Sequence, residues 1–346
     1  MPIRIDNKTY AFKDLLDRGR FAVGDYLRPT LDFVERWYDS NDYISVPTSG
    51  STGTPKSIHL LKSAMTKSAR KTLDYFELSQ GDHVLLALPT RYIGGMMMLV
   101  RAMKGDLILD LMAPSSKPLV SCSSVRYDFV PLTPHQFMSS YAHDPACFQS
   151  VSKILLGGGP ASKEVNEIVA RIESEVYHGF GMTETITHIA VRNLSARESE
   201  YKALRGVTFG VGEKDNLIIS ADHLSERIIT NDVVELGDIH TFRWLGRMDN
   251  VINSGGIKVH PELLEERLTS LLKEKDFFVA GIQDSLLGER IVLVIKGKQV
   301  ERGELDFNNL ARHQVPKEVR YLPNFVYTET GKINRAETLK LIDENN

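Results

Sequence analysis

Three short apolar runs, each stopped by a turn former, most constrain what this chain can fold into: HVLLALP (83–89), DLILDL (106–111) and SKILLGGG (152–159). Continuous apolar runs of this length are strands covered on both faces, as in parallel sheets with helices on either side. The segments around them change period. Lys62 to Phe76 sets Met65, Ala69, Leu73 and Phe76 at helical spacing, and SKEVNEIVARI (162–172) predicts a helix between SKILLGGG and a further strand, EVYHGFG (175–181). Tyr43–Pro47 is a short strand feeding a glycine-rich segment, and MPIRIDNKTYAF, alternating apolar residues with charge, reads as a first strand. The expected class is a layered α/β protein.

After Arg247 the pattern changes to a proline-led helix, PELLEERLTSLLKEK (261–275), followed by FFVAGI and RIVLVIKG, which predicts a small α+β module. A chain of 346 residues can hold two such domains, and the expected division is 1–246 and 247–346. The net charge of -3, without long runs of one sign, gives no footprint for nucleic acid or an anionic membrane. The most apolar stretch, His83 to Met103, is broken by Pro89, Arg91 and Arg101, so no membrane insertion is expected. No apolar core of a signal peptide stands at the amino terminus. Cys122 and Cys147 have no metal spacing and form no disulfide framework, which fits a reduced, cytoplasmic compartment.

Four segments carry chemistry. PTSGSTGTPKS (47–57) crowds glycines and hydroxyls around Lys56. As a Walker loop it fails, because Pro55 stands where the second glycine should precede the lysine, and proline has no N–H for a phosphate nest. A different phosphate loop is expected. YHGFGMTETITH (177–188) places Glu184 three residues after Gly181, and a hard carboxylate suits Mg²⁺ carried by nucleotide phosphates. Asp232 precedes Arg247 with a hairpin turn expected at Leu236–Asp238; an aspartate accepts two ribose hydroxyls, and an arginine neutralises phosphate. TETGKINRAE (328–337) presents Lys332 on a glycine-containing loop. Each feature alone also has a plain structural reading. A Ser/Thr/Gly run is a turn, GGGP ends a strand, Asp232 and Arg247 are surface charges, and Met96–Met98 is core or pocket lining. His178 reads equally as a satisfied buried histidine or as a cavity residue.

Together and in this order, the segments resemble the adenylate-forming superfamily of acyl- and aryl-CoA synthetases, luciferases and adenylation domains. TSGSTGTPK is similar to that family's phosphate loop, so the resemblance implies that Thr48, Ser49, Gly50, Ser51, Thr52, Gly53 and Lys56 hold the ATP phosphates. GGGPAS resembles the adenine-side loop with Gly158, Gly159 and Pro160, and FGMTE resembles the motif of Phe180, Gly181, Thr183 at the α-phosphate and Glu184 on Mg²⁺. Thr230-Asn-Asp232 stands where the family has Thr-Gly-Asp, with Asp232 on the ribose; asparagine tolerates the left-handed backbone glycine supplies. LGRMDNVINSGGIK resembles the hinge, with Arg247, a pivot at Asp249, and Gly255 and Gly256 beside the thiol channel. Lys332 in TGKINR corresponds to the adenylation lysine. The implied architecture is a large α/β core binding ATP and acid (1–246), shortened at its amino terminus, and a mobile α+β lid (247–346). The implied reaction joins a carboxylic acid to CoA through an acyl-AMP.

Within that superfamily, LPTRYIGGMMMLVRAM (88–103) and DFVPLTPHQF (128–137) resemble the o-succinylbenzoate-CoA ligases of menaquinone biosynthesis, some of which are also short, with Tyr92 in place of a histidine common there. A substrate with two carboxylates needs a second anion site, and Arg91, Arg101, His135 and His178 fall in the right segments. His178, the backbone around Gly179, and Tyr92 are the expected recognition residues; Arg101 sits on an expected helix, where facing solvent is an open alternative. The alternatives are another aryl- or acyl-CoA ligase, a stand-alone carrier-loading enzyme, and a non-catalytic acyl-adenylate binder.

Overall fold

The computed structural model describes residues 1–5, 8–17, 25–47, 57–121, 125–269, 271–272, 275–298, 305–327 and 333–343. Thr48–Lys56, Cys122 and Lys332 lie outside the described residues.

The amino-terminal alternation forms two strands, β1 (Pro2–Ile5) and β2 (Lys8–Ala11), paired antiparallel. The period-two pattern runs through both and hides the reversal between them. After α1 (Arg28–Tyr38), β3 (Tyr43–Pro47) and β4 (Ser57–Leu61) form a separate antiparallel ladder from Tyr43↔Leu61 to Pro47↔Ser57. The candidate phosphate segment falls between these two strands in sequence, outside the described residues. The helix expected over 62–76 is α2 (Lys62–Phe76), ended by Glu77 at φ 55.

The buried runs form β5 (His83–Leu86), then α3 (Ile93–Gly105), β6 (Ile108–Leu111), β7 (Tyr127–Leu132), α4 (Pro134–His143), β8 (Val151–Leu156), α5 (Lys163–Val169) and β9 (Glu175–Gly181). β5 pairs parallel with both β6 and β7, and β7, β8 and β9 follow in parallel. Antiparallel strands continue the sheet: β10 (His188–Asn193), β11 (Tyr201–Ala203), β12 (Val207–Val211), β13 (Asn216–Ala221), β14 (Ile228–Asp238) and β15 (Thr241–Arg247). The order is β12-β13-β14-β15-β11-β10-β9-β8-β7-β5-β6-β1-β2, one large mixed sheet. Its parallel part packs Leu85, Leu132 and Ile154 against Phe137 of α4 and Val165 and Ile168 of α5. Met96–Met98 in α3 are all buried. The hairpin expected to turn at Leu236–Asp238 turns at Ile239–His240 instead. The Asp238 carboxylate closes it, accepting the His240 N–H (2.7 Å) and the Thr241 hydroxyl (3.1 Å).

Compactness divides the chain into one unit of Met1–Gly210, Ile218–Ile229 and Leu236–Arg243, and a second of Val211–Leu217, Thr230–Glu235 and Trp244–Asn346. In the second, β16 (Ile252–Ser254), β17 (Ile257–Val259), α6 (Pro261–Leu268), β18 (Phe277–Asp284), β19 (Gly288–Lys296), β20 (Glu318–Leu322) and α7 (Arg335–Asp343) build a small sheet between helices. Alternation assigns the layers: Val279, Ile291 and Leu293 join Leu264 and Leu268 of α6, while Phe278, Val292 and Val294 join Ile342 of α7. Among the described residues no helix is long and apolar enough to cross a membrane.

Candidate nucleotide and acid site

β5 runs to β6 on one side while its other neighbour is β7, so the order reverses between β5 and β7. In open α/β sheets the crevice outside the carboxyl ends of strands at such a switch is where ligands bind. The segments leaving those ends are Leu88–Tyr92 after β5, Thr133–Pro134 after β7, Gly157–Ser162 after β8 and Met182–Thr187 after β9. Gln136 braces them. Its side-chain amide donates to the carbonyls of Ala87 (3.1 Å) and Ser115 (2.9 Å), while Thr133 caps α4 through the Gln136 N–H. Tyr92 starts α3, 40% exposed, with the Arg91 guanidinium over its ring; His135 is exposed.

The GGGP loop begins where the Gly157 N–H donates to the Leu132 carbonyl (3.0 Å), turns through Gly158 at φ 81, and ends at Ser162, whose hydroxyl caps α5. His178 reaches it from the neighbouring strand, with Leu156↔His178 in register. The Tyr201 hydroxyl donates to Nδ1 (2.6 Å), so Nε2–H donates to the Gly159 carbonyl (2.8 Å). Both ring nitrogens are thus engaged. The expected substrate residue is a buried brace of the Gly157–Ser162 loop, held neutral because burial, and then the charge of Arg192, push its pKa down to about 4. Tyr201, 23 residues away, has no spacing signal that would have flagged it.

Phe180 packs edge-on against Phe242 and beside Tyr201. Gly181 has a packing reason for being glycine, since a Cβ there would lie 2.2 Å from the Thr187 carbonyl oxygen. Of the following residues, Glu184 is exposed and Thr183 half-buried, whereas Thr185 and Ile186 are buried. Glu184 suits a cation that arrives with nucleotide phosphates: Mg²⁺ typically takes one or two carboxylates plus phosphate, and among the described residues no three acidic, His or Cys side chains converge into a cage.

Arg101 departs most from expectation. It is on α3, but 2% exposed; among the described residues its hydrogen-bond partner is the Thr187 hydroxyl (2.8 Å), and its Nε has none. Among the described residues no carboxylate pairs with it. Its neighbour His188, bonded to Thr72 (3.3 Å), is held neutral first by burial and then by Arg101 itself. A helical position with an i, i+4 apolar context gave no sign that this charge points inward.

In the second unit, the buried Asp232 accepts from the Trp244 indole N–H (2.9 Å) and pairs with Arg247 (3.6 Å). Burial raises its pKa despite both partners. The sequence-predicted pair is brought together, and Trp244 is the member that was missed. Asn231, in the glycine position of the motif, donates to the Asp249 carboxylate. Gly255 (φ 57) and Gly256 (φ 79) are the two-residue turn between β16 and β17, which itself demands left-handed residues at both positions. Tyr327 and Ile333 form an antiparallel bridge, and Arg335 donates to Glu265 (2.8 Å) and the Val279 carbonyl (3.1 Å).

A model of the AMP-binding enzyme family matches residues 18–212, more than half of the chain. A probable 2-succinylbenzoate–CoA ligase of Mycobacterium tuberculosis is 29% identical over 283 residues, covering 74% of this chain and 71% of its own. Among solved structures, an acyl-CoA synthetase (AMP-forming)/AMP-acid ligase II-like protein from Dyadobacter fermentans is 31% identical with a TM-score of 0.61, covering 92% of this chain and 94% of its own. The o-succinylbenzoate CoA synthetase of Bacillus subtilis, 21% identical, shares the fold: its complex with OSB-AMP has a TM-score of 0.76 over 85% of this chain and 68% of its own, and its complex with ATP and magnesium ion 0.75.

Proposed function

The chain belongs to the AMP-binding family of adenylate-forming enzymes, and from that we propose that it activates o-succinylbenzoate with MgATP as an acyl-AMP and passes the acyl group to CoA. The observation that carries the choice of acid is Arg101. A buried guanidinium with one neutral hydrogen-bond partner is expensive, and a carboxylate brought by the substrate offsets that cost. His178 has no free N–H for this task, so the recognition role passes to Arg101 with Thr187. The similarity to a probable 2-succinylbenzoate–CoA ligase of Mycobacterium tuberculosis is consistent with such a dicarboxylic acid.

The division of labour follows from charge. Thr48–Gly53 and Lys56 hold the leaving pyrophosphate, Thr183 the α-phosphate and Glu184 its Mg²⁺, Asp232 and Arg247 the ribose and phosphate, and Lys332 the attacking carboxylate. The small domain, pivoting at Asp249, withdraws Lys332 after adenylation and brings Gly255 and Gly256 toward the pantetheine. Lys332→Ala should abolish acid-dependent ATP–pyrophosphate exchange yet still convert synthetic acyl-AMP and CoA to thioester; Gly255→Leu should do the reverse. Equal losses in both assays reject that division.

The acid is tested by kcat/KM for o-succinylbenzoate against benzoate, 4-phenylbutyrate and medium-chain fatty acids. Arg101→Met should lower the value for the dicarboxylate by roughly ten- to one-hundred-fold, as expected for a lost charge-assisted hydrogen bond. Monocarboxylates should change little. A wild-type preference for a monocarboxylate overturns the assignment of the acid and leaves the adenylation chemistry standing.

A further inference from the structure

We infer that Thr185 is a positioning residue for adenylation, its hydroxyl fixing the turn from which Thr183 and Glu184 face outward. The inference rests on the reading above, in which those two side chains meet the α-phosphate and Mg²⁺.

The turn Met182–Thr187 is held at a costly geometry. Ile186 adopts φ 70, a left-handed backbone that a β-branched residue rarely takes, and its side chain is buried at 1% exposure. Such strain persists only where the surroundings over-determine it. Two backbone features contribute. The Ile186 N–H donates to the Thr183 carbonyl (2.9 Å), and Gly181 lets the chain pass against the Thr187 carbonyl at a distance no Cβ would allow. The third feature is a side chain. The Thr185 Oγ1, fully buried, accepts the Met182 N–H (2.9 Å) and donates to the Thr187 carbonyl (2.8 Å), with the Met182 carbonyl 3.0 Å away sharing the same proton. One hydroxyl thus ties the two ends of the turn together and uses both its donor and its acceptor capacity.

Packing alone does not call for a hydroxyl here. Valine has the same shape and is equally suited to a dry position, but it would leave the Met182 N–H and the Thr187 carbonyl without this partner. The turn would then relax toward a conformation easier for Ile186, moving the residues between the tied ends, among them the two that carry the proposed roles. These are Thr183 and Glu184. Thr187 is also the residue that binds Arg101, so the same tie fixes the hydroxyl that holds the buried guanidinium.

The experiment compares Thr185→Val, which keeps the shape and loses the hydroxyl, with Thr185→Ser, which keeps the hydroxyl and loses a methyl. Acid-dependent ATP–pyrophosphate exchange is measured across a Mg²⁺ titration, with Glu184→Gln beside them. Thr185→Val should lower the exchange rate about ten-fold or more, the size of one lost buried hydrogen bond, and raise the Mg²⁺ needed for half-maximal rate. Thr185→Ser should stay within about two-fold of the parent. A Thr185→Val enzyme with the parent's rate and Mg²⁺ dependence overturns the inference, as does a Thr185→Ser enzyme that falls equally, because the methyl would then be what matters. If Thr185→Val does not fold, Thr185→Ala against Thr185→Ser makes the same comparison, and equal behaviour overturns it. Unchanged Mg²⁺ dependence in Glu184→Gln overturns the underlying reading together with this one, whereas an inert Thr185→Val beside a responsive Glu184→Gln overturns this one alone.

Discussion

Burial strips His178 of its charge, and the consequence is measurable in two ways. The ring sits between a donor, Tyr201, and an acceptor, the Gly159 carbonyl, and a neutral imidazole satisfies both. Replacing it with phenylalanine would fill the volume and free the loop carbonyl, so His178→Phe should raise KM for ATP several-fold while KM for the acid holds. The pH dependence has a definite sign. The folded pKa, about 4, lies below the ordinary 6.5, so the unfolded chain binds the proton more readily and stability falls as pH drops from about 6.5 toward 4. Urea unfolding should show His178 costing roughly 2 kcal/mol at pH 5 relative to pH 7, and the slope should shrink by that amount in His178→Phe, leaving the share of other buried histidines such as His188. A sequence cannot tell which reading of such a histidine is right, because the deciding partners come from another strand and another loop. For Arg101 the reason is the same: the side chain's length lets a helix position face either way, and only the fold chooses.

At the scale of elements, α6 illustrates where periodicity stops being informative. The apolar pattern of PELLEERLTSLLKEK runs on to residue 275, yet the helix ends at Leu268, where the Thr269 hydroxyl donates back to the Glu265 carbonyl (2.9 Å). Thr269 offers the backbone an alternative that the hydrophobic spacing does not record. Strands and helices of the parallel region were legible because burial on both faces leaves an unbroken apolar run, whereas the turn after β14 was placed early because Gly237 remains inside the strand. α6 also carries the strongest carboxylate shift. Burial pushes Glu265 up to about 7, although Arg335 and the Val279 N–H both oppose this. A raised carboxylate is protonated in the fold before it is in the unfolded chain, so the second unit loses stability as pH rises from about 4.5 to about 7, by at most a few kcal/mol. Glu265→Gln should flatten that slope in denaturant titrations at pH 5 and 8. A slope that survives the substitution would assign the shift to another group.

At the scale of the molecule, the expected boundary after residue 246 can be tested directly. Both apolar clusters of the small sheet are built entirely from residues between Ile252 and Ile342. A fragment of residues 248–346 should therefore fold alone, with a cooperative thermal transition and strand-rich circular dichroism, although it lacks the Asp232 and Trp244 pair. A fragment without a transition would mean that the strand segments 211–217 and 230–235 are part of what makes the unit stable. Motif order pointed to candidate site residues along the whole chain, of which Thr48–Lys56 and Lys332 lie outside the described residues, because a loop meant for phosphate is expected to be rich in glycine and hydroxyls. What it hid was how each motif is supported, by Thr185, Gln136, Trp244 and Tyr201. One further consequence concerns β19. Its run Ile291–Ile295 is the kind of segment that seeds fibrils when uncovered, yet it is fully buried on both faces and paired with β18 on one edge and β20 on the other. Local fraying cannot expose it. Its amides should exchange with deuterium only when the whole unit opens, and the rate at which this protein aggregates on warming should track that global opening.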